Sequence, residues 1–133
     1  MEWKLEVIPV PVADVDASKK FYAEAVGFTV DHDVRPRPDM RVVQLTPAGS
    51  ACSIVLGVSG SAPGSLKGLQ LVVEDINAAR QELVLRGVAV SEVTHLGEGN
   101  GSAFLFFDDP DGNSWSVQEL RRAEATHGTE AKA

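Results

Sequence analysis

Two stretches of this chain repeat one pattern 61 positions apart. Val12-Ala13-Asp14-Val15-Asp16-Ala17 runs toward Gly27-Phe28, and Val73-Glu74-Asp75-Ile76-Asn77-Ala78 runs toward Gly87-Val88. A looser echo pairs Thr46-Pro47-Ala48-Gly49 with Asp109-Pro110-Asp111-Gly112 at a spacing of 63. One unit built twice in 133 residues is too short for a solenoid and fits two small modules sharing a core.

Each copy carries the same local signals. An extended apolar run ends at an aspartate suited to cap a helix, because its carboxylate can accept the orphan N–H groups of the first turn. Behind Asp14, Ala17, Phe21 and Ala25 share a helical face, and Gly27 stops the helix where positive φ is needed. The first unit (1–57) reads as strand 4–10, helix 14–26 and strands 28–34, 41–46 and 51–56. The second (68–120) reads as strand 68–73, helix 75–86 and strands 88–94, 102–107 and 114–119. Gly- and Ser-rich residues 58–67 read as a linker, and the polar, Ala-rich residues 121–133 as a flexible tail. The expected fold is therefore α+β: two tandem βαβββ modules forming a curved mixed sheet around a central cavity, each with one helix on one sheet face.

Charge and composition narrow the partners. A net charge of −7 argues against nucleic acid or an anionic membrane surface. No run approaches the length of a membrane span, and the single cysteine, Cys52, excludes an internal disulfide and suits a reducing cytoplasm.

The duplicated module, with Val-x-Asp before each helix, Phe21-Tyr22 inside the first, and Asp109-Pro110-Asp111-Gly112-Asn113 before the last strand, resembles the vicinal oxygen chelate superfamily. That group includes glyoxalase I, extradiol dioxygenases, fosfomycin resistance enzymes and bleomycin-binding proteins. The resemblance covers residues 3–120. It implies four cavity positions, which metal-dependent members fill with His, Glu or Gln. Here they fall on Val7, Ser53, Gly68 and Ser116, and the internal repeat independently pairs Val7 with Gly68 and Ser53 with Ser116. Valine, glycine and two serines are not a divalent-cation set. No Asp, Glu or His occurs between Met40 and Val73, so the fourth strand has no acidic ligand to offer. No metal cofactor is expected.

Strand alternation fills the cavity with Val7, Ser53, Gly68, Gln70, Ser114, Ser116 and Gln118. The parity of Arg41 and Gln44 stays open. Alternation sets His32 opposite both Asp31 and Asp33, His95 reads as a rim or surface residue, and Cys52 as a small hydrophobe packed toward the helix. Trp115, Phe104 and Phe106 are expected in the core. The leading expectation is a metal-free small-molecule-binding protein, cytoplasmic and homodimeric, the dimer covering exposed sheet edges. The alternative is a metal-dependent glyoxalase-type lyase or a dioxygenase.

Overall fold

The computed structural model describes residues 1–122. Residues 123–133, most of the expected tail, lie outside the described part. Each half folds as expected into one four-stranded sheet and one helical segment. In the first, β1 (Val7–Val10) runs parallel to β4 (Ser53–Leu56), and β3 (Met40–Thr46) and β2 (Thr29–Arg37) follow antiparallel, in the order β1-β4-β3-β2. The second repeats it as β5-β8-β7-β6, with β5 (Leu69–Val73), β6 (Thr94–His95), β7 (Ala103–Asp108) and β8 (Ser114–Glu119). The architecture is α+β and mixed, with two four-stranded sheets among the described residues.

The helices start where the aspartates place them. Asp14 accepts from Ala17 N at 3.1 Å ahead of α1 (Val15–Lys20), and Asp75 accepts from Ala78 N at 3.0 Å ahead of α2 (Ile76–Leu85). Beyond that point the copies diverge. Asp14 and Asp75 are 61 apart, but Gly27 and Gly87 are 60 apart, so the first helix carries one residue more. That residue is absorbed by widening the second half of the helix into a π-helical stretch, Phe21–Val26, closed by Gly27 at φ 97°. π-Helical turns of this kind occur mostly as single-turn bulges within an α-helix.

Alternation then separates core from open face. Val10, Val43, Leu45, Ile54 and Leu56 of the first sheet point to the core, as do Ala103, Leu105, Phe107, Trp115 and Val117 of the second. Both sets join one cluster with Tyr22, Phe28, Ile76 and Leu83. The aromatic residues of the π-helical stretch bind the modules together: Tyr22 lies 5.7 Å from Trp115 and Phe21 lies 6.2 Å from Phe107, between ring centroids.

Polar bonds seal the same junction. The Tyr22 hydroxyl donates to Asp109 Oδ2 at 2.7 Å and accepts from Trp115 Nε1 at 2.9 Å. Asn113 Nδ2 donates to Asp109 Oδ2 at 2.7 Å and to the Pro11 carbonyl at 2.9 Å, while Asn113 Oδ1 accepts from Leu66 N at 3.0 Å. Burial first, and the bond to the Asp109 carboxylate second, hold the Tyr22 phenol well above its ordinary pKa. The linker-like stretch is pinned here too: Gly64 N donates to Pro11 O, and a Cβ on Gly64 would sit 2.0 Å from the Asp111 carbonyl oxygen.

Three boundaries move by three residues or more. Strand β1 begins at Val7 rather than near residue 4, because β4 offers no partner before Ser53. Strand β2 extends to Arg37, paired with the full length of β3. Strand β6 shrinks to two residues: Ser91 N and Oγ already bond the backbone of Phe106, which replaces part of the ladder.

Candidate functional site

The open face of the second sheet gathers most of the polar residues expected in the cavity. On β8, Ser114, Ser116 and Gln118 alternate with the buried Trp115 and Val117; Gln70 on β5 pairs with Ser116 in register. Ser116 Oγ donates to Gln70 Oε1 at 3.1 Å, Gln70 Nε2 to Gln118 Oε1 at 2.9 Å, and Gln118 Nε2 to the Gly101 carbonyl at 2.8 Å. Ser114 Oγ accepts from Gly68 N at 2.9 Å. Five of the residues expected in the cavity, Gly68, Gln70, Ser114, Ser116 and Gln118, are thus brought together on one module.

Phe104 and Phe106 belong to this face, which corrects their expected place in the core. In the antiparallel register Phe104 lies opposite Gln118 and Phe106 opposite Ser116. The two rings stack 6.3 Å apart at 7°, and Phe106 is 42% exposed. The run Ala103–Phe107 is apolar at every position, so alternation within it says nothing. The turn could have said it: counting outward from Asp108 opposite Ser114 puts Phe106 beside Ser116. Trp115 is in the core, as expected.

The other two expected residues lie on the first sheet. Val7 pairs with Ser53 across β1 and β4, and the buried Ser53 shares a 2.6 Å hydrogen bond with Thr46, whose hydroxyl in turn donates to Asp31. Asp31 reaches this face because the ladder slips between Val30 and His32. His32 pairs with Gln44 while Asp31 bonds Thr46, and Gln44 and Thr46 share a face, so the bulge defeats the alternation that was to separate His32 from Asp31. A small recess of about 110 Å³ has Cys52 and Ser53 on one wall and Gln70 on the other, so Cys52 borders this recess.

Arg41 turns the opposite way. It forks onto Asp33 at 3.0 and 2.9 Å and also pairs with Asp16 of α1, while Lys19 reaches Asp33 at 2.6 Å. The hydrogen bonds from Arg41, then that from Lys19, hold the Asp33 carboxyl well below the usual range; Arg41 does the same to Asp16. Parity is thereby settled: Arg41 serves the helix side and Gln44 the open side. His95 is exposed at the end of β6.

A divalent cation does not fit the four repeat-related positions. Val7 and Gly68 have no side-chain donor atoms, and the neutral hydroxyls of Ser53 and Ser116 supply no imidazole, carboxylate or thiolate. Among the described residues no three His, Cys, Asp or Glu side chains gather into a metal-binding group. No helix among them is long and apolar enough to cross a membrane.

Comparison with known proteins agrees with this fold. The model of the Glyoxalase/Bleomycin resistance protein/Dioxygenase superfamily matches residues 4–117. The crystal structure of TnmS3, an antibiotic binding protein from Streptomyces sp. CB03234, is 34% identical, superposes with a TM-score of 0.78, and covers 90% of this chain and 98% of its own. A glyoxalase/bleomycin resistance protein from the same organism is 36% identical with a TM-score of 0.74, over 87% of this chain and all of its own. Among curated sequences, the uncharacterized protein YetH of Bacillus subtilis is 27% identical over 87% of this chain and 98% of its own.

Proposed function

The chain belongs to the glyoxalase/bleomycin resistance protein/dioxygenase superfamily, and on that premise we propose that it binds a flat, largely apolar small molecule on the open face of its second module, without a metal. One observation carries the reading: two stacked phenylalanines, Phe106 exposed and Phe104 half-buried, border a row of neutral amide and hydroxyl groups. A ring system placed there gains aromatic contact and finds hydrogen-bond partners at its edge, the usual composition of a small-molecule site. The resemblance to an antibiotic binding protein supports this reading. The alternative, a metal-dependent lyase or dioxygenase, needs first-row metal ligands where this chain has Val7, Ser53, Gly68 and Ser116.

The protein acts as a homodimer in the cytoplasm. Trp3 and Leu5, just ahead of β1 on the first sheet, expose apolar surface that a second copy would cover.

The test is calorimetric titration with a panel of planar aromatic compounds, from naphthalene diols to anthraquinones. Binding that falls at least tenfold in Phe106→Ala supports the site, and binding unaffected by that change refutes it. Metal analysis of the purified protein decides the cofactor: one equivalent of Zn, Ni, Fe or Mn per chain overturns the metal-free reading. Sedimentation at micromolar concentration that finds only monomer rejects the dimer.

A further inference from the structure

The hydrogen-bonded row on the second sheet has a direction, and a backbone atom sets it. A carbonyl oxygen can only accept, so the Gln118 side-chain atom 2.8 Å from Gly101 O must be its Nε2. That orientation turns Gln118 Oε1 toward Gln70, which must then present Nε2 at 2.9 Å. Gln70 Oε1 is left facing Ser116, and only the serine proton can complete that 3.1 Å contact. The Ser116 hydroxyl is therefore spent as a donor, and its oxygen offers only lone pairs.

The repeat-related serine on the first sheet is set the same way by a different anchor. The Asp31 carboxylate takes the Thr46 proton, so the 2.6 Å contact between Thr46 and Ser53 must be made by the Ser53 proton. Two unrelated anchors, a main-chain carbonyl and a carboxylate, leave both serines as acceptors.

We propose that Ser116 makes this site selective for aromatic ligands with an O–H or N–H donor at the ring edge, such as phenols and aryl amines, over ethers and ketones of the same shape. The inference rests on the ring-binding reading above, since Phe106 lies directly across from Ser116. A phenol donates to the Ser116 oxygen and keeps the row intact. An aryl ether placed there sets two acceptors against each other, or breaks the bond to Gln70.

Calorimetry with 2,6-dihydroxynaphthalene and 2,6-dimethoxynaphthalene tests it. The wild type is expected to bind the diol at least tenfold tighter than the diether. Ser116→Ala removes the acceptor and brings that ratio close to one. Gln70→Lys, at an exposed position, replaces the accepting oxygen by an ammonium that donates to both Gln118 Oε1 and Ser116 Oγ. The serine proton is then free, and affinity for the diether should rise toward that for the diol. Phe106→Ala should weaken both compounds by the same factor. Equal wild-type affinity for the two compounds overturns the donor preference while leaving ring binding standing. A ratio unchanged in Gln70→Lys also overturns it. Failure to bind either compound overturns both readings together.

Discussion

Replacing Tyr22 by Phe removes one buried oxygen and nothing else from the junction of the two modules. The ring keeps its contacts with Phe28 and Trp115, both at 5.7 Å. Two bonds are lost with the hydroxyl: the 2.7 Å donation to Asp109 Oδ2 and the 2.9 Å acceptance from Trp115 Nε1. A hydrogen bond to a charged acceptor contributes about 1.5–3 kcal/mol, and a buried N–H left without a partner costs about 1–3 kcal/mol. Asp109 retains Asn113 Nδ2 at 2.7 Å and the backbone N–H groups of Asp111 and Asn113, which limits the damage on that side. A net loss of about 3 kcal/mol is expected, equal to a fall in Tm of roughly 10 °C for a chain of this length. A fall below about 3 °C by differential scanning calorimetry would refute the account of this network.

The same variant has a signature in pH. Because the folded Tyr22 phenol is held above its ordinary value of 10.0, both states carry the proton at neutral pH and the shift contributes nothing there. Above about pH 10 the unfolded chain releases the proton while the folded chain retains it, so the unfolded state binds fewer protons and stability falls. The slope approaches about 1.4 kcal/mol per pH unit. Tyr22→Phe lacks this contribution. Denaturation profiles of the two proteins between pH 9 and 11 should therefore converge as pH rises, and parallel profiles would contradict the buried, neutral phenol.

Three further outcomes follow from single contacts. Asp75→Ala removes the cap on Ala78 N and should cost about 1 kcal/mol in urea unfolding; no change means the cap is idle. Gly57→Ala would set a Cβ 2.0 Å from the Arg41 carbonyl oxygen at φ 96°, whereas Gly49→Ala at φ 85° meets no atom within 4 Å. The second should cost only the left-handed strain of about 1–2 kcal/mol, and the first clearly more; equal melting temperatures would deny the close approach. Arg41→Met should raise the Asp33 pKa toward the ordinary carboxylate value of 3.8, because its largest hydrogen-bonding partner is gone. Carboxylate NMR titration reads this directly, and an unchanged value would show that Lys19 alone sustains the shift.

Local chemistry was legible in the residues themselves. The aspartate caps, the stop at Gly27, the strand–helix–strand order and the partition of β8 into buried Trp115 and Val117 against open Ser114, Ser116 and Gln118 all depend on groups close in sequence. The π-helical turn is not legible there: the residues predict one regular helix over 14–26, and only the structure shows where the extra residue between Asp14 and Gly27 is absorbed. What else lay beyond reach depended on pairing between strands. The slip in β2 that carries Asp31 to Thr46 arises from a partner strand, and alternation along β2 alone cannot contain it. Phe104 and Phe106 took their face from the register with β8, since an unbroken apolar run has no period of its own. Tyr22 and Asp109 meet across 87 positions, and the direction of the hydrogen bonds at Ser116 is set by a carbonyl at Gly101. Sequence determines what each group can donate, accept or bury; only tertiary structure decides which neighbour claims it, because a hydrogen bond exists at the distances that packing, not proximity along the chain, brings about.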